Sequence, residues 1–370
     1  MIRATLIIAL ASIAAGWGAS SAGAFQVAVQ DQGASVDVLH DLATQLGTRT
    51  VRIVARPGQP NAELVRDYHQ RGLRVQAAIL VKRDTTPGDV RAVIRAWHGQ
   101  VRTISIGNEP ELNGVPACTY ARLFARASAL IRREFPGTRI GFGEYSPLGF
   151  EQPAKTARCH VRIRADFTGV HCYQFNSDPL APPTERTGYG RWLGLGSLGA
   201  FKRELRRAHL PSRLRCTEFA YLVSGPYRIS MARASSLWPR AVRQARRHVE
   251  QLVVYGAGVV HDQSRWGSAS LLDAFGRSTP ALQALARALG RTYRDTQPPP
   301  APAGDLITAL PDGAPMRAQP LPVPVPDVAA GAATDPPAPV LEPDAPADPP
   351  APDPEPEPAP ADPPALEAAP

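Results

Sequence analysis

Two glutamates at the ends of predicted β-strands give the strongest chemical signal in the sequence. Glu109 follows a β-branched run over residues 103–107, and Glu218 ends a second such run over residues 213–217. In a parallel α/β barrel, the carboxyl ends of the strands meet at the catalytic mouth. Two carboxylates placed there suit cleavage of a glycosidic bond, in which one protonates the leaving oxygen and the other meets the developing cation.

The part of the chain between residues 25 and 295 alternates short β-rich runs with longer amphipathic ones. The predicted strands are residues 25–30, 50–55, 75–81, 102–107, 139–143, 166–172, 213–218 and 252–260. The predicted helices include residues 61–71, 87–97, 119–134, 198–208, 232–248 and 279–289, where apolar residues recur every three or four positions. This rhythm predicts an α/β fold, a (β/α)8 TIM barrel of eight strand–helix units. An open doubly wound sheet is the alternative, but no GxGxxG follows the first strand.

The triplet Asn108-Glu109-Pro110 lies on the fourth predicted strand, and Glu218 lies on the seventh. This arrangement resembles the retaining (β/α)8-barrel glycoside hydrolases of clan A, the superfamily of many cellulases, mannanases and β-glycosidases. The resemblance implies that Glu109 is the acid/base and Glu218 the nucleophile, with no cofactor and no metal in the reaction. No single family's full signature is present, so the sugar stays open.

Further matches to the clan cover most of the barrel. Arg52 on the second strand resembles an arginine that contacts the nucleophile, and His171 with Tyr173 resembles the strand-six His-x-Tyr pair. Trp266 would be a platform for a sugar ring, and Asn108 would bind the sugar 2-hydroxyl. His171 and Tyr173 also fit a role as buried core residues with satisfied hydrogen bonds. Trp266 also fits a role as an anchor for its loop.

The reaction requires opposite protonation states of the two carboxylates. Glu109 must carry a proton, so we expect its pKa to be raised by burial or by the other carboxylate. Glu218 must be ionised. Glu144 at the end of the fifth strand and Asp262 after the eighth are alternative carboxylates. Glu111 is expected to point away from the site into solvent.

The two ends of the chain are predicted to lie outside the barrel. Residues 1–24 have the pattern of a secretory signal, with Arg3, an apolar run and a small-residue cleavage site. An uncleaved N-terminal anchor is the alternative. Of the 40 prolines, 25 lie from Pro298 onward, so residues 296–370 are predicted to be a disordered Pro-rich C-terminal tail. It would be a passive spacer, or a stalk that associates with the cell envelope.

The net charge of +8 is unevenly distributed. Residues 296–370 contain one basic and twelve acidic residues, which leaves 40 Lys/Arg and 21 Asp/Glu in residues 1–295, a charge of +19. Such a body attracts anionic polymers or surfaces. The arginines are scattered over predicted helices without a nucleic-acid-binding motif. We therefore expect a solvated surface and no nucleic acid partner.

Four cysteines in a chain predicted to be secreted permit disulfides. Cys118 and Cys159 lie in loop-like sequence, and we predict that they are bridged. Cys172 and Cys216 lie on predicted strands and would form either a second bridge or two buried thiols. No CxxC or HxxxH spacing is present, which argues against a metal site.

Together these patterns predict a secreted or cell-envelope-associated glycoside hydrolase, residues 25–295. It would be monomeric and would cleave O-glycosidic bonds of a poly- or oligosaccharide with retention. The predicted separation of its two carboxyl groups is about 5–5.5 Å. A non-catalytic carbohydrate- or cell-wall-binding protein on the same barrel is one alternative. A structural envelope protein whose active region is the tail is another.

Overall fold

The computed structural model describes residues 25–174, 186–187, 190–224, 228–255, 271–273 and 277–292. The predicted signal, the predicted tail, Trp266 and Asp262 lie outside these ranges. Within them, no helix combines the length and the apolar character that crossing a membrane would require.

Eight parallel strands close into a barrel, as the sequence predicts. Each strand pairs with its neighbours in chain order, and the last pairs with the first. The strands are β1 (Gln26–Gln30), β2 (Thr50–Ala55), β3 (Arg74–Ile79), β4 (Thr103–Ile106), β5 (Arg139–Tyr145), β6 (Phe167–His171), β7 (Leu214–Phe219) and β8 (Gln251–Val254).

Within the described ranges, eight α-helices connect or follow these strands. They are α1 (Val36–Gln45), α2 (Ala62–Gln70), α3 (Pro87–Ala96), α4 (Ala117–Glu134), α5 (Gln152–Ala157), α6 (Leu198–Arg207), α7 (Met231–His248) and α8 (Pro280–Ala288). The sequence ranges above omit α1 and α5, and the six residues of α5 are too few to establish a periodicity. A short antiparallel pair, Arg186–Thr187 with Gly190–Arg191, lies outside the barrel sheet.

Local sequence explains where the helices begin. In α3, the Thr86 side chain accepts a hydrogen bond from the Asp89 backbone N–H, and the Asp89 carboxylate accepts one from the Thr86 backbone N–H. Pro87 occupies the first turn, where a missing N–H costs no hydrogen bond. The apolar residues Val90 and Ile94 are buried on one face. The other helices except α5 likewise bury one apolar face in the common hydrophobic core.

The inside of the barrel is more polar than usual. Such barrels are normally filled by Val, Ile and Leu side chains. Here a small internal cavity is bordered mainly by polar side chains, namely Arg52, Gln76, Thr103, Ser105, Glu144, Arg215, Thr217 and Gln251. Charged groups inside this barrel must therefore be compensated by one another, because water has little access to them.

All four cysteines are in disulfide bonds. Cys118 at the start of α4 is joined to Cys159 beyond α5, which confirms the predicted bridge. Cys172, directly after β6, is joined to Cys216 on β7, and both are buried. The second pair is thus a bridge rather than two buried thiols.

We expect the double variant Cys118→Ser/Cys159→Ser to lose about 4 kcal/mol of unfolding free energy, because this bridge closes a loop with a sequence separation of 41 residues. Denaturant unfolding under non-reducing conditions measures the loss. As a control, mild reductant should lower the stability of the parent towards that of the variant and leave the variant unchanged. Equal stabilities of parent and variant would contradict the prediction.

Candidate active site

Two irregularities in strand pairing determine where the site's carboxylates lie. Between β5 and β6 the register shifts between Gly143 and Tyr145, so that Glu144 is an extra residue on β5. Between β6 and β7 the register shifts again, and Thr217 is the extra residue before Glu218. Bulges of this kind redirect neighbouring side chains and are common beside active sites.

Two glutamates of the site have a left-handed backbone. The φ angle is 48° at Glu109 and 54° at Glu144. Non-glycine residues in this region cost roughly 1–3 kcal/mol each. The Glu109 backbone N–H donates to the Glu144 carbonyl over 2.9 Å. The Asn113 side-chain amide donates to the carbonyls of Asn108 and Glu109 over 2.7 and 2.9 Å. These bonds hold the loop after β4 against β5.

Two glycines leave the space that this arrangement needs. Gly107 has a φ of 115°, and a Cβ there would lie 2.8 Å from the Tyr120 hydroxyl oxygen. That hydroxyl donates a hydrogen bond to the Ile106 carbonyl over 2.5 Å and accepts one from the Gly143 N–H over 2.8 Å, so it ties the end of β4 to β5. A Cβ on Gly169 would lie 2.5 Å from the Glu144 Cγ. A side chain at either position would displace the groups beside the carboxylates.

Arg52 is the cation at the centre of the site, and it is almost completely buried. Its guanidinium donates to Glu218 Oε1 over 3.0 Å and to Asn108 Oδ1 over 2.8 Å. It also donates to Glu144 Oε2 and to Gln30 Oε1. Burial lowers the pKa of Arg52, but Glu144 and Glu218 more than reverse this and raise it above its ordinary value. Arg52 therefore stays charged.

Glu218 is held by donors from three other strands or strand ends. Besides Arg52 on β2, Gln30 at the end of β1 donates from Nε2 to Glu218 Oε1 over 3.2 Å. The Tyr173 hydroxyl, after β6, donates to Glu218 Oε2 over 3.0 Å. Arg52 and Tyr173 were singled out in the sequence, whereas Gln30 was missed. Its only signal was a polar residue that ends an apolar strand.

His171 lies between three carboxylates and is completely buried. Its Nδ1 is 2.8 Å from Glu109 Oε1 and 3.4 Å from Glu218 Oε2. Its Nε2 is 3.7 Å from Glu144 Oε2. Because Glu109 Oε1 and Glu218 Oε2 flank one nitrogen, these two oxygens are at most 6.2 Å apart, the sum of the two distances.

The expected rise in the pKa of Glu109 is wrong. Burial does raise the pKa of this carboxyl, but the charge of His171 and its hydrogen bond lower it, with a further contribution from Arg52. The net result is that the pKa of Glu109 lies below its ordinary value of 4.5. The sequence pattern singled out both carboxylates and His171 but could not reveal that His171 touches Glu109.

The structure brings Glu144 into the site, but as a buried residue and not as a carboxylate that lines the open cleft. It is 1% exposed and contacts both Arg52 and His171. Burial raises the pKa of Glu144, but the charges of Arg52 and His171 and the hydrogen bond from Arg52 lower it to about 2. Glu144 is therefore an anion enclosed by cations.

Glu111 was expected to point into solvent, and the structure does not place it there. It is half-buried, and its Oε1 accepts a hydrogen bond from the Ser146 N–H over 2.6 Å. Burial is the main cause that raises the pKa of Glu111. Its carboxylate thus supports the loop after β5 and does not join the cluster around His171.

Within the described ranges, no group of three or more His, Cys, Asp or Glu residues is arranged to hold a metal ion. The charge at the centre of the described carboxylates comes instead from Arg52 and His171. For chemistry, this arrangement offers a pair of neighbouring carboxylates, Glu109 and Glu218. The Glu109 side chain is 27% exposed and the Glu218 side chain is 9% exposed.

No protein-family model matches the chain, and no curated protein sequence matches it. Solved structures do match over 71–72% of its length. A family 39 glycoside hydrolase from Bacteroides cellulosilyticus WH2 has a TM-score of 0.55 at 14% identity, and the match covers 63% of that chain. A glucosidase from Croceicoccus marinus has a TM-score of 0.53 at 12% identity, and the match covers 68% of that chain. A monomeric beta-xylosidase from Caulobacter crescentus CB15 has a TM-score of 0.50 at 15% identity, and the match covers 67% of that chain.

At these identities the likeness concerns the fold alone. The chain has the barrel that these glycoside hydrolases have, and it spans less than two thirds of the length of the Bacteroides enzyme. Which chemistry the barrel performs must be argued from its own residues.

We expect Arg52→Met to lower the free energy of unfolding at pH 7 by about 3–5 kcal/mol, because two buried carboxylates lose their shared cation. In the parent, Glu144 has a pKa of about 2, below the ordinary 4.5, so its contribution is complete above about pH 4.5 and is lost as the pH falls towards 2. In the variant, burial without Arg52 should raise that pKa. Stability should then be greatest below pH 4.5 and fall as the pH rises.

Unfolding of parent and variant between pH 4 and pH 7 measures this change of slope. The second variant, Arg52→Met/Glu144→Gln, should regain part of the lost stability and lose most of the pH dependence. Arg71→Met, which breaks the exposed pair with Asp37, is the control and should stay near the parent. An Arg52→Met protein with the parent's stability at both pH values would refute the role of Arg52.

Proposed function

We propose that this protein is a glycoside hydrolase that cleaves O-glycosidic bonds of a poly- or oligosaccharide with retention of anomeric configuration. The observation that carries the proposal is the shared contact of Glu109 and Glu218 with His171 Nδ1, which limits their facing oxygens to 6.2 Å. Retaining enzymes have carboxyl groups about 5–5.5 Å apart, whereas inverting enzymes leave about 6.5–9.5 Å for a water molecule.

Glu218 is the proposed nucleophile. Three hydrogen-bond donors, on Arg52, Gln30 and Tyr173, fix its two oxygens from different strands. Such fixation holds an attacking oxygen in one position before the substrate arrives. In the first step, Glu218 attacks the anomeric carbon and forms a glycosyl ester as the bond to the leaving oxygen breaks.

Glu109 is the proposed acid/base. Its carboxyl group is the more exposed of the pair, so it can approach the leaving oxygen and later an incoming water. It would assist departure of the leaving group and then activate the water that hydrolyses the ester.

Asn108 and Trp266 are the proposed sugar contacts. Arg52 donates to Asn108 Oδ1, so the amide NH2 group is directed away from Arg52 and would donate to the sugar 2-hydroxyl. Trp266 lies outside the described residues, and its role as a platform for a sugar ring rests on the sequence alone.

Secretion is part of the same proposal. Two disulfide bonds are typical of a protein that folds in an oxidising compartment, and residues 1–24 read as a signal that leads there. The proline-rich residues 296–370 would then act outside the cytoplasm, as a spacer or as an attachment to the envelope.

Glycoside hydrolysis is first tested with a panel of aryl glycosides and polysaccharides, with product stereochemistry followed by proton NMR. Retention is expected from the spacing of the carboxylates. Binding of a glycan without turnover by the parent would favour a non-catalytic binding protein and contradict the proposal.

On a substrate that the parent cleaves, Glu218→Ala should abolish formation of the glycosyl-enzyme and nearly all turnover. Azide should restore cleavage and give a glycosyl azide of inverted configuration, because the small anion attacks from the face that Glu218 vacates. Chromatography and NMR of the product detect it. Glu63→Ala, on the exposed surface of α2, is the matched control and should keep its activity without any response to azide.

Glu109→Ala should lower the rate of cleavage of substrates with poor leaving groups by roughly 10²–10⁴-fold, because no side chain then donates a proton to the departing oxygen. A good phenol leaves without one, so a burst of phenol should be followed by slow hydrolysis of the ester. Stopped-flow absorbance separates the two steps. Glu111→Gln, which keeps an acceptor for Ser146, serves as the neighbouring control with normal kinetics. Equal losses for good and poor leaving groups would argue against an acid/base role.

A further inference from the structure

The proposed reaction requires a proton that the Glu109 carboxyl is poorly placed to keep. A general acid must be protonated before the substrate reacts. His171 lies 2.8 Å from Glu109 Oε1, and its charge and hydrogen bond favour the ionised form of Glu109. The proton must therefore be stored on a neighbouring group.

Both ring nitrogens of His171 face carboxylate oxygens. Nδ1 faces Glu109 and Glu218, and Nε2 faces Glu144 at 3.7 Å without a hydrogen bond among the described residues. A carboxylate oxygen accepts hydrogen bonds, so each of these nitrogens is most stable with a proton. An imidazole with a proton on both nitrogens is an imidazolium cation.

The charges around His171 act in the same direction. The groups that face it are Glu109 from the loop after β4, Glu144 from β5 and Glu218 from β7. The cation Arg52 from β2 contacts two of these carboxylates, Glu144 and Glu218. The ring of Tyr173, which lies just after β6, is next to the His171 ring. Burial lowers the pKa of His171, but the charges of Glu218 and Glu109 and the hydrogen bond with Glu109 raise it to about 10.

We propose that His171 stores the proton that Glu109 delivers to the leaving oxygen. The inference rests on the proposed function. His171 is completely buried and acts through Glu109, so it is a positioning residue for this proton and does not itself touch the sugar.

The first step balances in atoms and charge. Glu218 forms a bond to the anomeric carbon and loses its negative charge as the glycosidic bond breaks. The anion 3.4 Å from His171 Nδ1 is thereby removed, and the imidazolium becomes a stronger acid. The Nδ1–H bond breaks, a proton arrives on Glu109, and Glu109 gives a proton to the leaving oxygen. Imidazole, the Glu109 carboxylate and the glycosyl ester remain.

The second step restores the starting state. Glu109 accepts a proton from the attacking water as the ester bond breaks, and this proton passes to His171 Nδ1. Glu218 regains its negative charge and stabilises the imidazolium again. The net charge of the buried groups is the same before, between and after the two steps, because each charge that Glu218 gains or loses is matched at His171.

The direct test is ¹⁵N NMR of the histidine rings in the full protein, with the His171 signals assigned from the spectrum of His171→Gln. At pH 8 both His171 nitrogens should be protonated in the parent, and the titration midpoint should lie near 10. Glu218→Gln has the same shape without the charge, and it should lower that midpoint by at least about one pH unit. Glu63→Gln, which removes an exposed carboxylate on α2, should leave it unchanged.

A second readout uses the pH dependence of kcat/KM on a substrate with a poor leaving group. Without the imidazole, Glu109 must hold the proton itself, so His171→Gln should move the alkaline limb to lower pH by more than about two units. A substrate with a good phenol should be nearly unaffected in its first step. A general loss of structure would lower kcat/KM for both substrates alike and would not shift the alkaline limb of the pH profile.

A neutral His171 at pH 7, or a midpoint that Glu218→Gln does not change, would overturn this inference and leave glycoside hydrolysis untouched. Absence of turnover on any glycoside would overturn the proposed function, while the NMR result would still report the charge of His171. The two failures are therefore distinguishable.

Discussion

The contact of the Arg52 guanidinium with two buried carboxylates, Glu144 and Glu218, sets the conditions for the rest of the barrel mouth. A charge enclosed in protein is costly unless other charges and hydrogen bonds compensate it. Arginine suits this place because its planar guanidinium presents several N–H groups in fixed directions, and here they also reach Gln30 and Asn108. Strands β1, β2, β5 and β7 must therefore keep their relative register, since a shift would leave a buried ion without a partner.

His171 is the second cation of this cluster, and it makes the charges nearly balance. With Arg52 and His171 positive and three carboxylates negative, the cluster has one excess negative charge. That charge is shared among buried groups which are already oriented, so a reaction at Glu218 requires little rearrangement of the surroundings. The same balance explains why the pKa of Glu109 is lowered although burial alone would raise it.

The architecture and the first outline of the site could be predicted from the pattern of residues along the chain. Alternation of β-rich and amphipathic segments is a local property, so the closed parallel barrel could be predicted from it. Strand-end positions also follow from the sequence, because the carboxyl ends of parallel strands converge. For that reason Glu109 and Glu218 could be expected near one another, and the resemblance to clan A added Arg52. The predicted loop positions of Cys118 and Cys159 were enough to suggest their bridge.

The contacts between the charged groups could not be predicted in this way, because they depend on how the strands pack. Glu144 enters the cluster through a bulge and a left-handed backbone, and neither is encoded in the alternation of polar and apolar residues. Gln30 becomes a partner of Glu218 because β1 and β7 lie on either side of β8 in the closed barrel. The two residues are 188 positions apart in the sequence. The direction of the Glu109 pKa shift depends on a 2.8 Å contact with His171, and electrostatic energies at that range change with tenths of an ångström. Residue order fixes which groups reach the mouth of the barrel, but only the packed backbone fixes the distances that set their charge.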